Sequence, residues 1–393
     1  MKFSATSLFN LKTGKARLYS FVFAIATAGF SLTACNSNTK TASTTDSSNT
    51  TTATTDTTAS SAKKLTPKGP KPVWAPNMAP EMQVVIEKLI SYGDKPTATL
   101  SAVEARKNHT PTDAVMDVMK ENNIPMPPMN VDTMGKEIPS VGGNIHIRVY
   151  TPKTKKDSYP VIVYYHGGGF VIANIDVYNA SAQAMAEQVG AVVVSVAYRL
   201  APEHKFPTAH DDAYAAYAWT VKNAASIKGD PKKIAVLGES AGGNLAVATA
   251  IAARDKGIML PTHIVSVYPI AQADTTTASY VKNANDVPLS RAMMVWFTKK
   301  YVRTMADAKD PRISLTMANL KGLPATTIIT DEYDPLQSDG MMLADKMKAA
   351  GVTVTSKNYD GVTHEFFGMA TVIPQAKEAQ AFAASELKKA FGM

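Results

Sequence analysis

Ser240 stands in Gly238-Glu239-Ser240-Ala241-Gly242-Gly243, between a short apolar run (233–237) and an alanine-rich stretch (244–254). Strand, tight turn and helix in that order are the setting of a nucleophile elbow. The turn strains the serine backbone by about 1–3 kcal/mol. Glycine is needed two residues before and two after the serine, because side chains there would crowd the turn. The hydroxyl is then held open at a helix N-terminus, where free N–H groups and the helix dipole favour developing negative charge. Such a serine does covalent chemistry on an acyl group if a base takes its proton and an acid orients the base.

Three further stretches bear on that chemistry. His166-Gly167-Gly168-Gly169 follows the apolar run 160–165 and reads as an oxyanion loop of the HGGG type, with the N–H of Ala241 as a further donor. Asp331, Glu332 and Asp334 follow the apolar run 325–330 and offer three acids. Of the seven histidines, His364 alone comes after both the serine and the last strand-like run. His109 lies in a helical segment, His146 in an alternating strand, His204 and His210 upstream of the serine, and His263 at a strand start. His166 is expected to brace its loop rather than titrate. Serine, acid, histidine is the chain order of α/β-hydrolases.

The elements that must position these residues are legible as alternation of strand and helix. Residues 145–150 alternate as a half-exposed antiparallel strand. Runs at 160–165, 191–196, 233–237, 263–268, 325–330 and 352–355 read as strands, with helices at 179–189 and from 211 to 221. This predicts an α/β fold, a mostly parallel sheet covered on both faces, with the chemistry beyond the carboxyl ends of the strands. Upstream, residues 80–90 place Met82, Val85, Ile86, Leu89 and Ile90 on one helical face, and Thr110-Pro111 opens a second helix. These are two docking helices, or a mobile cap whose methionines, with Met126 and Met129 in the loop that follows, adapt to an apolar ligand.

The first residues read differently. Lys12, Lys15 and Arg17 precede an apolar stretch at 18–32, too short to span a bilayer comfortably, that ends in Leu32-Thr33-Ala34-Cys35. Cys35 is the one cysteine of the 393 residues, so an intramolecular disulfide is excluded. Residues 36–64 are almost wholly Thr, Ser, Asn, Asp and Ala, too polar to fold, and span on the order of 30 Å as a coil. The expected organisation is a signal peptide at 1–34, an anchor and tether at 35–64, a helical cap at 65–136 and the α/β domain at 137–393. Half of the formal charge of +8 resides in the first 34 residues, and no basic stripe with interleaved aromatics argues for nucleic acid.

Five blocks in order, His166-Gly167-Gly168-Gly169, Tyr198-Arg199-Leu200-Ala201-Pro202-Glu203, the serine hexapeptide, Asp334-Pro335-Leu336 and His364-Glu365-Phe366, resemble the bacterial hormone-sensitive-lipase family of α/β-hydrolase carboxylesterases. The resemblance covers roughly residues 65–393. It implies Ser240 as nucleophile, Asp334 as acid and His364 as base. It also implies Gly168, Gly169 and Ala241 as oxyanion donors, with Gly167 completing the loop, and the two N-terminal helices as a lid. The implied reaction is ester hydrolysis through an acyl-enzyme, on short to medium acyl chains, with no cofactor and no metal. Glu365 stands where the family often has glycine, and Glu239 where aspartate is commoner. The 32–35 segment resembles the lipobox of bacterial lipoproteins, which implies lipidation of Cys35 and an exported protein held on a membrane. A binding lipoprotein that has lost activity, or an acyltransferase, are the alternatives.

Overall fold

The computed structural model describes residues 65–393; the expected signal peptide, Cys35 anchor and tether lie outside them. Eight strands form one sheet: β1 (Val131–Ser140), β2 (Gly143–Pro152), β3 (Tyr159–Tyr165), β4 (Val192–Ala197), β5 (Gly229–Glu239), β6 (Ile264–Val267), β7 (Thr326–Tyr333) and β8 (Val354–Thr363), in the order β1-β2-β4-β3-β5-β6-β7-β8. β1/β2 and β2/β4 are antiparallel and the remaining pairs parallel. The order reverses direction between β3 and β5, and that switch point opens a crevice beyond the strand ends. β1 begins at Val131, inside the segment expected to be helical cap, so the sheet starts earlier than residue 137. The residues of β1 are mostly exposed and include Gly135 and Pro139, which hides the strand from an apolar-pattern reading.

The helices are α1 (Pro80–Ser91), α2 (Ala102–Ala105), α3 (Pro111–Glu121), α4 (Asn179–Val189), α5 (Thr208–Asn223), α6 (Ala241–Asp255), α7 (Ala278–Lys282), α8 (Arg291–Tyr301), α9 (Gln337–Ala349) and α10 (Pro374–Phe391). Strand alternation splits the core in two. Val161, Val163 and Tyr165 face a core shared with α5, α6 and α9, while Ile162 and Tyr164 face one shared with α4 and α10. Each buried aliphatic side chain contributes about 1.5–3 kcal/mol, and the central strands are buried on both faces.

The same division runs through the cap. Met82, Val85 and Ile86 of α1 and Val115, Val118 and Met119 of α3 join the second core, whereas Ala102 and Ala105 of α2 and Trp296 and Phe297 of α8 join the first. α3 starts at a capping box in which the Thr110 hydroxyl accepts from the Asp113 N–H and the Asp113 side chain accepts from the Thr110 N–H. The cap is therefore larger than two N-terminal helices: α8, inserted between β6 and β7, closes its other side. Among the described residues no helix is long and apolar enough to cross a membrane.

Candidate active site

β5 delivers Ser240 into a left-handed turn (φ 57°, ψ −117°) at the N-cap of α6. The flanking glycines are sterically required. A Cβ on Gly238 would lie 2.0 Å from the Gly242 carbonyl oxygen, and one on Gly242 would lie 2.0 Å from the Tyr165 oxygen. The turn is held by the Ser240 N–H donating to the Val267 carbonyl at 2.9 Å. Holding a non-glycine residue in this region costs of order 1–3 kcal/mol, which the buried elbow overrides.

β8 ends at Thr363, so His364 leaves the sheet beside this turn. Its Nε2 is 3.0 Å from Ser240 Oγ, and its Nδ1 is 2.8 Å from Asp334 Oδ2. Asp334 follows β7 directly, and its Oδ1 accepts the Leu336 N–H at 2.8 Å. All three side chains are buried. Burial alone would lower the His364 pKa, but the charge and hydrogen bond of Asp334, with Glu365 and Glu239 behind them, raise it above its ordinary 6.5.

The three acids after β7 have separate fates. Glu332 accepts the Gly361 N–H away from the histidine. Asp331 is wholly buried, and neither of its carboxyl oxygens meets a donor among the described residues. Burial, then the neighbouring Asp334 charge, pushes its pKa well up. Both effects favour the neutral form of Asp331 over a second charge beside Asp334. Asp331, Asp334 and His364 offer atoms within 4.8 Å of one another, with His364 Nδ1 facing Asp334 and Nε2 facing Ser240.

After β3, Gly168 and Gly169 adopt φ 99° and 58° and line the pocket over Ser240. A side chain on Gly168 would collide with the Ile172 carbonyl, at 2.2 Å. The loop is held by its own contacts. His166 is stacked on Tyr198 at 4.2 Å, its Nδ1 is 2.7 Å from the Gly167 oxygen, and burial lowers its pKa to about 4. The Tyr198 hydroxyl donates to the His166 oxygen at 2.8 Å. Ala241 opens α6, where first-turn N–H groups lack helical partners.

The other histidines have structural partners. His109 stacks on Tyr92 and meets Asp94, His146 meets Glu137, His210 bridges Tyr301 and Asn244, and His263 meets Thr327. His204 is exposed.

Sequence reasoning missed four features. Arg106, beside α2, donates to the Val171 and Ala201 carbonyls at 2.8 and 2.7 Å and grips Glu203 through both terminal nitrogens, tying the cap to the oxyanion loop. The wall made by Leu289, Met293 and Phe297 comes from the β6–β7 insertion. The methionine that lines the pocket is thus Met293, not Met126 or Met129, which are exposed. Asp286 also lines the pocket and is buried with neither carboxyl oxygen partnered among the described residues. Burial, then the Asp334 charge, raises it to about 7. Fourth, Glu239 points under the elbow, where Tyr164 and Tyr268 donate to it at 2.5 Å each; burial raises it to about 7. The serine, His364, the loop glycines and both halves of the cap enclose about 840 Å³, within the usual range for small-molecule sites.

The pattern of the alpha/beta hydrolase fold family matches residues 162–368. The chain is 40% identical over 251 residues to the carboxylesterase NlhH of Mycobacterium tuberculosis, covering 63% of this chain and 79% of that one. It is 30% identical over 309 residues to the ethyl acetate hydrolase of Pseudomonas putida, covering 77% and 95%. Among solved structures, the hyperthermophilic esterase of the archaeon Pyrobaculum calidifontis superposes with a TM-score of 0.73 at 35% identity, over 79% of this chain and 98% of that one.

Proposed function

The chain belongs to the alpha/beta hydrolase fold family, in its hormone-sensitive-lipase-like branch, and is a carboxylic ester hydrolase; from that premise we propose that Ser240, His364 and Asp334 form its catalytic triad. His364 Nε2 takes the Ser240 proton as Oγ attacks the ester carbonyl, and Asp334 holds the ring in the tautomer that leaves Nε2 free. The N–H groups of Gly168, Gly169 and Ala241 stabilise the oxyanion. His364 returns the proton to the leaving alcohol, and water then cleaves the acyl-enzyme by the same path. The substrate is a small ester with a short to medium acyl chain. The observation that carries this reading is the continuous relay of 3.0 and 2.8 Å through one buried imidazole.

Ser240→Ala is expected to abolish ester hydrolysis and fluorophosphonate labelling with unchanged circular dichroism; stoichiometric labelling of the variant overturns the assignment. The lipobox-like segment supports the further proposal that Cys35 is acylated and holds an exported protein on a membrane. Cys35→Ser is expected to remove labelled palmitate from the full chain and shift it out of the membrane fraction.

A further inference from the structure

Glu365 occupies a place that its backbone does not favour. Its φ is 72°, a left-handed conformation for a residue with a side chain, immediately after the histidine. That turn folds the carboxylate back toward the His364 ring. Oε1 lies 3.9 Å from His364 Nε2, and the side chain is one-fifth exposed to the pocket. The Tyr178 hydroxyl donates to the same oxygen at 2.5 Å and fixes it in place. Burial, then the charge of Glu365, keeps Tyr178 protonated and so a donor.

A separation of 3.9 Å is too long for a direct hydrogen bond. It suits one oxygen donating to both: placed about 2.8 Å from each acceptor, that oxygen subtends roughly a right angle, close to the angle between two O–H bonds. In the free enzyme Nε2 faces the Ser240 hydroxyl. Once Ser240 carries an acyl group that hydroxyl is gone, and Nε2 is free to receive a proton from the incoming acceptor.

We propose that Glu365 and His364 together form a two-point binding site for the compound that accepts the acyl group, selecting water and alcohols that carry a second hydroxyl beside the reacting one. This rests on the triad reading above. Water satisfies both points with its two protons. A monohydric alcohol gives its one proton to Nε2 and leaves the Glu365 oxygen facing an apolar group, which costs the unmade hydrogen bond. A vicinal diol places its second hydroxyl against Glu365. In each case the acceptor oxygen bonds to the acyl carbon as its proton passes to Nε2. The bond from that carbon to Ser240 Oγ then breaks, and the proton returns to Oγ. The path runs equally in reverse, so esters of glycol- or glycerol-like polyols are the matching substrates. Asp286 supplies a further unpartnered acceptor to the same pocket, which again fits donor-bearing alcohols.

The test is partitioning of the acyl-enzyme. The full chain is acylated with p-nitrophenyl butyrate in equal concentrations of ethylene glycol and 2-methoxyethanol, which differ in whether the second oxygen carries a proton, and the two esters and butyrate are quantified. Ethanol in place of 2-methoxyethanol controls for size. The expected result is a preference for glycol of about tenfold, beyond the statistical factor of about two, that collapses to that factor in Glu365→Gly. Glycine accepts the backbone conformation, and Glu365→Gln, which keeps an accepting oxygen, is expected to fall between. A wild-type ratio near the statistical value, or a preference that survives in Glu365→Gly, overturns the proposal. If Glu365→Gly does not fold, loss of its fluorophosphonate labelling shows it, and the wild-type ratio with Glu365→Gln decides. Failure of the triad reading shows separately, as labelling of Ser240→Ala.

Discussion

At the scale of single residues, Asp331 and Asp334 differ by what each faces. Asp334 accepts from the imidazole, whereas Asp331 is buried beside it with no donor of its own among the described residues and its pKa pushed well up, which favours its neutral form. Asparagine is close to an isostere of a protonated aspartate, so Asp331→Asn is expected to change kcat/KM by less than about fivefold. Asp334→Asn favours the wrong tautomer and is expected to cost about 10³–10⁴ in kcat/KM; equal losses in the two variants would mean that the acids share one role. The pH profile follows from the raised His364 pKa. The imidazole must be neutral to act as base, and a raised pKa keeps it protonated to higher pH. Activity is therefore expected to fall along an acid limb whose midpoint in kcat/KM lies above 6.5; a midpoint below 6 would contradict this balance of Asp334 against burial. Ser240 and His364 were legible in the sequence because an elbow and the order of strand ends are local signals. The choice of Asp334 among the three acids after one strand came from the resemblance and not from the residues themselves, since it turns on one side chain's direction across the sheet.

At the scale of elements, the strands whose ends carry the site were legible, because runs buried on both faces are continuous apolar runs. β1 was not, being polar and on the edge, and α8 was not recognised as cap, because its contact with the pocket is made across the fold. Arg106 belongs to the same class: its partners lie 65 to 97 residues away. Magnitudes separate its two kinds of contact. The ion pair with Glu203 is partly exposed and worth about 0–1 kcal/mol. The carbonyls of Val171 and Ala201 each lose a charged donor on truncation, at about 1–3 kcal/mol apiece. Arg106→Ala is therefore expected to lower kcat/KM about tenfold, chiefly through KM, and Glu203→Ala to lower it less than threefold. Arg106→Lys cannot reproduce the fork and is expected to resemble alanine. If Glu203→Ala matches Arg106→Ala in steady-state kinetics, the ion pair rather than the carbonyl grip holds the cap.

At the scale of the molecule, the pocket is walled from both halves of the cap. Leu89 and Ile90 of α1 close it from one half of the cap, Met293 and Phe297 of α8 from the other, and Arg106 clamps the loop between. About 840 Å³ must hold the acyl chain, the reacting carbonyl and the alcohol together. Each methylene buried adds about 0.8 kcal/mol, roughly fourfold in kcat/KM, while room remains. Beyond that it must stay in water or force strain into a cap packed against both cores. The Met126–Met129 loop offers no relief, since it lies away from the pocket. With p-nitrophenyl esters below their solubility limits, kcat/KM is expected to rise from acetyl to butyryl or hexanoyl and then fall steeply. Phe297→Ala removes the ring nearest Gly169 and is expected to move that maximum to longer chains, because it opens the wall without touching the relay. A maximum at palmitoyl in the wild type, or a jump in rate at an emulsion surface, would mean that the two halves of the cap part far wider than their packing allows.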